Sequence, residues 1–142
     1  MKNYEELVDG IRKIYENADA RSILGHIALE IHITGEVNGV CYMEVANREI
    51  SVEPYDYYDR DGIVTIDHQV LEDIVDGKYT AYQAIKENKI EINGDVNKLA
   101  ELGKMVFRHE QGDPNIDKND RFHRFKTTIK LHTTSSSKKP PV

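Results

Sequence analysis

The sequence predicts an α+β domain in which helices accompany a mainly antiparallel sheet of about five strands. Three observations carry this. The chain opens on an amphipathic helical repeat. Three runs of alternating apolar and polar residues then follow one another with only short turns between them. After a polar connection, short apolar runs alternate with short capped helical segments. At 142 residues the chain is the size of about one domain.

Taken in order, Tyr4, Leu7, Val8, Ile11, Ile14, Tyr15 and Ala18 recur at three- and four-residue spacing, with Glu5, Glu6, Asp9, Arg12 and Lys13 on the opposite side. Asn3 is the expected N-cap of this helix. Ile27, Leu29, Ile31 and Ile33 alternate with His26, Ala28, Glu30, His32 and Thr34, the signature of a strand with one buried face. Asn38-Gly39 predicts a two-residue hairpin into a second strand over 40–46, and Asn47-Arg48 a turn into a third over 49–53. Sequential antiparallel strands of this kind form a meander with one covered and one wet face.

Residues 55–62 form a tyrosine-rich polar connection, and Ile63–Ile66 a short strand. Asp67 caps a helix with Val70, Leu71, Ile74 and Val75 on its apolar face, stopped by Gly77. Thr80 caps a short helix containing Ala81, Tyr82, Ala84 and Ile85, after which Asn88 suits a left-handed turn. Lys89–Ile92 is a last strand. Gly94-Asp95 opens a final helix carrying Val96, Leu99, Ala100, Leu102, Met105 and Val106. Thr127–Leu131 suits a short strand, and the composition of 132–142 predicts disorder.

The charge is divided along the chain. Residues 1–103 hold 10 basic and 21 acidic residues, whereas 104–142 hold 9 basic and 4 acidic, for a net charge of −6. An acidic body repels nucleic acid and anionic membranes, so no nucleic-acid partner is expected and only the basic end suits an anionic surface. No apolar run reaches the roughly 18–20 residues of a membrane-spanning helix, and residues 1–6 lack the apolar segment of a secretory signal. One cysteine, Cys41, fits a reducing, cytoplasmic setting and excludes an intrachain disulfide.

No catalytic set is legible. There is no Ser/His/acid spacing and no glycine-rich phosphate loop, so no enzyme activity and no cofactor are expected. His26 and His32 lie six residues apart on one strand, about 20 Å along it, too far to share a metal ion. His68 is read as a solvated first-turn residue. Asp113–Asp117 looks briefly like a calcium loop, but Lys118 and Arg124 stand where the loop requires glycine and glutamate. No metal site is expected.

The order of elements and the local text resemble the sterol carrier protein type 2 family. The resemblance rests on Leu71-Glu72-Asp73-Ile74-Val75-Asp76-Gly77-Lys78, on the run Ala84-Ile85-Lys86-Glu87-Asn88-Lys89-Ile90-Glu91-Ile92-Asn93-Gly94-Asp95, and on Asn97–Leu102. Ile85 replaces the usual phenylalanine and Asn88 the usual glycine. The likeness is best over 63–103, extends back to about residue 20, and does not cover 108–142. It implies a sterol-carrier-like domain over 1–107; beyond it the charge marks a basic C-terminal extension over 108–131 and the composition a disordered tail over 132–142.

The resemblance further implies helices on one sheet face and a hydrophobic tunnel between the layers. The implied function is non-enzymatic binding or carriage of a fatty acid, acyl-CoA or other lipid. Met43, Leu71, Ile74, Val75, Tyr79, Tyr82, Ile85, Leu99, Leu102 and Met105 are the candidate ligand-lining residues, with Tyr79 and Tyr82 at the rim. Each apolar one serves equally as ordinary core. The alternative is an accessory or scaffold module with the same fold and a filled interior, interacting through Tyr55, Tyr57 and Tyr58 and the charged tail. The basic end has three readings: a solvated tail, an arm packed back through Phe122, Phe125, Ile129 and Leu131, or a weak contact with an anionic membrane surface.

Overall fold

The computed structural model describes residues 1–107 and 118–135. Helix α1 (Tyr4–Glu16) begins at Asn3, whose side chain accepts from the Glu6 backbone while Glu6 reaches back to the Asn3 backbone, a complete capping box. A two-residue strand β1 (Ala18–Asp19) follows, then the meander β2 (Ile27–Thr34), β3 (Gly39–Ala46) and β4 (Glu49–Glu53). The chain continues through β5 (Gly62–Asp67), α2 (His68–Val75), α3 (Ala81–Lys86), β6 (Ile90–Gly94) and α4 (Val96–Ala100). A 3-10 turn (Glu101–Lys104) and β7 (Val106–Phe107) follow, and the chain ends in α5 (Lys118–His132) and β8 (Thr133–Ser135).

The main sheet has six strands in the order β4-β3-β2-β5-β6-β8 and is mixed, which corrects the expected five-stranded antiparallel sheet. Pairings β2–β3, β3–β4 and β5–β6 are antiparallel, whereas β2–β5 and β6–β8 are parallel. The reason is connectivity. Residues 54–61 carry the chain from the edge strand β4 back to the middle of the sheet, where β5 enters beside β2 in the same direction. Alternation shows which face a strand buries but not the direction of its neighbour. The sixth strand comes from residues 133–135, within the stretch expected to be disordered.

Other expectations change at glycines and at the C-terminal segment. The first hairpin is a five-residue connection, because Ile33 pairs with Gly39 and the positive φ falls on Gly35 (104°) rather than on Asn38. Gly39 serves packing instead: a Cβ there would lie 2.4 Å from the Tyr4 ring. Asn47 and Arg48 do make the two-residue turn, both with positive φ (53° and 65°).

The last helix is shorter than expected. It ends at Ala100, gives way to the 3-10 turn, and leaves Met105 extended. At Gly103 a Cβ would stand 2.5 Å from the Phe125 ring, so the glycine that weakens the helix also admits α5. Thr127–Leu131, expected as a strand, is part of α5. The calcium-loop look-alike at 113–117 and the tail beyond 135 lie outside the described residues.

Residues opposite one another in neighbouring strands share a face. Ile33, Ile66 and Ile90 form one apolar row, and Met43 with Val52 belongs to the same face. All five are buried, as are Leu7, Val8 and Ile11 of α1, Leu71 of α2, Ile85 of α3 and Leu99 of α4. Helices α1 and α2 meet closely because residue 10 is glycine; a Cβ there would lie 2.3 Å from Val75 Cγ1. Cys41 is also in this core, and burial pushes its thiol pKa up to about 12.

Candidate functional site

The candidate site is the layer between the apolar sheet face and helices α2 to α5. Met43 and Leu99 are the most deeply placed of the expected lining residues, at 0% and 1% exposure. Leu71, Ile85 and Met105 are buried, and Ile74, Val75, Tyr79 and Leu102 are half-buried and pack against the same cluster. The structure therefore brings nine of the ten candidates into one apolar body. Tyr82 stands outside that cluster, half-buried, with its hydroxyl turned to Thr128 of α5.

The two tyrosines expected at the rim, Tyr79 and Tyr82, make polar and cation–π contacts. The Tyr79 hydroxyl donates to Glu87 at 2.5 Å, which pushes the phenol pKa up to about 12, and Lys89 Nζ sits 5.6 Å from the centre of its ring. Lys86 Nζ lies 5.4 Å from the Tyr82 ring centre.

Helix α5 closes this end of the layer. Ile129 is 3% exposed within the core, and Phe125 packs against it from α5. Phe122 and Phe125 approach Gly103. Leu131, expected to pack inward with them, is instead 76% exposed. At the C-terminal end of α5 the His132 ring is 2.9 Å from Asn88 Oδ1, and β8 then runs alongside β6. Of the readings of the basic end, packing back onto the body is the one these contacts describe.

A cleft of about 360 Å³ opens at the seam of α3 and α5. Among the described residues it is lined by Tyr82, His123, Arg124, Thr127 and Thr128. Its floor is polar: buried Thr128 Oγ1 lies 3.3 Å from the Tyr82 hydroxyl. Apart from Tyr82 these residues were not expected as site residues. Their signal in the sequence was the acid-free basic stretch after Asp120, which does not by itself reveal a concave surface. A second open cleft, of about 680 Å³, lies by Tyr15, Arg21, Arg48 and Ile50 and holds charges of both signs.

The opposite sheet face is built from charge. His26 Nε2 lies 2.6 Å from Glu44, and the Tyr57 hydroxyl donates to the same carboxylate oxygen. Hydrogen bonds from Tyr57 and then His26 hold the Glu44 pKa below the ordinary carboxylate value, and the Tyr57 phenol is pushed up to about 12.

Glu30, only 4% exposed, meets His32 Nε2 at 2.5 Å and the Tyr57 backbone N–H at 2.9 Å, with Arg60 at 3.8 Å. Burial opposes its ionisation, but these donors outweigh that and keep its pKa low. His26 and His32 thus have separate carboxylate partners. His68, expected to be solvated, is 9% exposed beneath the Gly35 turn, because no side chain intervenes at that glycine.

Comparison with solved structures finds similar folds. The chain is similar to the crystal structure of sterol carrier protein 2 like 2 from Aedes aegypti (26% identity over 69% of this chain and 91% of that one, TM-score 0.49). It is also similar to the palmitated solution structure of the Aedes aegypti protein (20% identity, 71% and 91% coverage, TM-score 0.52). A double mutant of the sec-alkyl sulfatase PisA1 contains a similar region (18% identity, 64% of this chain and 14% of that one, TM-score 0.51). At identities of 20% and below the last two likenesses concern the fold alone. No curated protein sequence matches significantly. Residues 10–107, from within α1 to the end of β7, match the profile of the SCP-2 sterol transfer family, and the chain belongs to that family.

Proposed function

We propose that this protein binds and carries an apolar, single-chain lipid between the sheet and helices α2 to α5, without catalysis. Family membership over 10–107 carries the reading. The nine candidate residues gathered in one apolar body support it, as does the palmitated state of the similar Aedes aegypti structure. The driving force is removal of apolar surface from water, about 25 cal/mol per Å², or a gross 12 kcal/mol or so for a sixteen-carbon chain before the costs of association. In the closed arrangement described here the lining side chains touch one another, so a ligand enters by displacing α3 and α5 from the sheet. The basic end would add weak, salt-sensitive contact with an anionic membrane surface, and a reducing cytoplasmic setting suits the buried thiol of Cys41.

Gentle solvent extraction with mass spectrometry, together with titration of a fluorescent fatty acid, tests the proposal. Recovered lipid and saturable probe binding are expected. An empty extract with no probe binding overturns it.

One observation favours a second reading, an accessory module with a filled interior. Met43, Ile85, Leu99 and Met105 pack as an ordinary core, and neither cleft is lined by them among the described residues. Absence of lipid together with a stoichiometric protein partner would support that reading.

A further inference from the structure

We propose that the cleft between α3 and α5 is a binding site for a phosphate monoester, the headgroup end of a single-chain amphiphile. It rests in part on the lipid-carrier reading, and its site is built largely by a helix outside the matched family region, which ends at residue 107. The chain carries 25 acidic residues and a net charge of −6, yet none of the described residues lining this cleft is acidic. Arg124 supplies a permanently charged fork suited to two phosphate oxygens. His123 offers an imidazole one residue away, and the Tyr82 hydroxyl lies across the cleft on α3. Lys86, 5.4 Å from the Tyr82 ring centre, adds positive charge at the same edge.

The cleft is open to solvent and, at about 360 Å³, has room for a phosphate and the first atoms of its ester. Location links the cleft to the apolar layer. Thr128 on its floor precedes Ile129, which is 3% exposed, and Tyr82 is followed on α3 by buried Ala84 and Ile85. A headgroup held here leaves its chain beside the seam through which a lipid would enter.

The test titrates the full chain with dodecyl phosphate, with dodecanol and with inorganic phosphate, following binding by calorimetry and by the His123 and Tyr82 NMR signals. Dodecyl phosphate is expected to bind at least about tenfold more tightly than dodecanol, the worth of one charge-assisted contact. Arg124→Gln should reduce that ratio about tenfold, and Tyr82→Phe several-fold, with thermal unfolding recorded to confirm that each variant is folded. Equal affinity for dodecyl phosphate and dodecanol, or a ratio unchanged by Arg124→Gln, overturns the cleft proposal while leaving the lipid reading intact. Inorganic phosphate that shifts the two NMR signals, with neither amphiphile binding, supports an anion site for free phosphate and removes the lipid reading instead.

Discussion

The two faces of the central sheet are made by the same strands and held by different physics. On the covered face, Met43, Val52, Ile33 and Ile66 lie among helices and gain stability from the loss of apolar surface and from close packing. On the other face, Glu30 and Glu44 stand opposite Tyr42 and Ala28 and are used to fasten a loop. The loop over 54–61 folds down so that Tyr57 bonds both carboxylates, one through its backbone and one through its hydroxyl, while its ring lies 4.8 Å from that of Tyr42. Asp61 completes the attachment by accepting from the Ala28 backbone at 2.9 Å and from Lys98 at 3.0 Å. This face is therefore not simply wet: Ala28 and Glu30 are as buried as core residues. Stability depends on volume on the first face and on satisfied charge on the second.

The largest break in this comparison is a cavity on the covered face. Leu99→Ala is expected to lose about 2–5 kcal/mol in urea unfolding, because Leu99 is 1% exposed and packs directly over Gly62, where a Cβ would meet its Cδ1 at 2.8 Å. If a lipid fills the layer, added fatty acid should recover part of that loss, and the size of the recovery measures how much of the cavity the ligand reaches.

Next comes the charged face. Glu30→Ala removes the acceptor for both His32 and the Tyr57 backbone N–H, and leaves that N–H without its partner beneath the loop. A loss of about 1.5–3 kcal/mol is expected. Amide exchange should separate this from a cavity effect: protection falls first at Tyr57 and its neighbours, whereas Leu99→Ala lowers protection throughout the core.

This difference between the faces also explains what was legible in the sequence. Helix caps and alternation are local, so Asn3, Asp67 and Thr80 announced their helices, and the odd-numbered isoleucines of β2 announced the buried face. Asn88 likewise takes its left-handed conformation, with φ of 61°. Nine of the ten candidate lining residues were legible as an apolar set, because burial follows helical and strand periodicity. Strand direction was not, since nothing local in β5 says that it runs parallel to β2. Nor was the Glu30–His32–Tyr57 network, because Glu30 and Tyr57 lie 27 positions apart and meet only when the loop over 54–61 folds over the sheet. The cleft residues His123 and Arg124 were hidden for a related reason. Their stretch reads as a charged tail until Gly103 lets two phenylalanines dock and fixes α5 against the body.

The smallest expected effect is also the one with the clearest sign. Tyr57→Phe keeps the ring against Tyr42 and the backbone bond to Glu30, and removes only the hydroxyl that donates to Glu44. At neutral pH the loss should be no more than about 1 kcal/mol, since this bond is partly open to water. Its pH dependence distinguishes it. The Tyr57 phenol is raised from 10.0 to about 12 in the folded protein, chiefly by the bond to Glu44, so its contribution is fully present below pH 10 and disappears as the pH climbs from 10 to about 12. The Glu44 pKa is lowered from its ordinary 4.5, so its contribution is present above that value and is lost as the pH falls through the folded pKa. Wild type and Tyr57→Phe should therefore differ most in urea midpoint between about pH 5 and 10 and converge toward both extremes. A difference that stays constant across the whole range would mean that the hydroxyl acts through packing, and that Tyr57 belongs with the covered face rather than with the charged one.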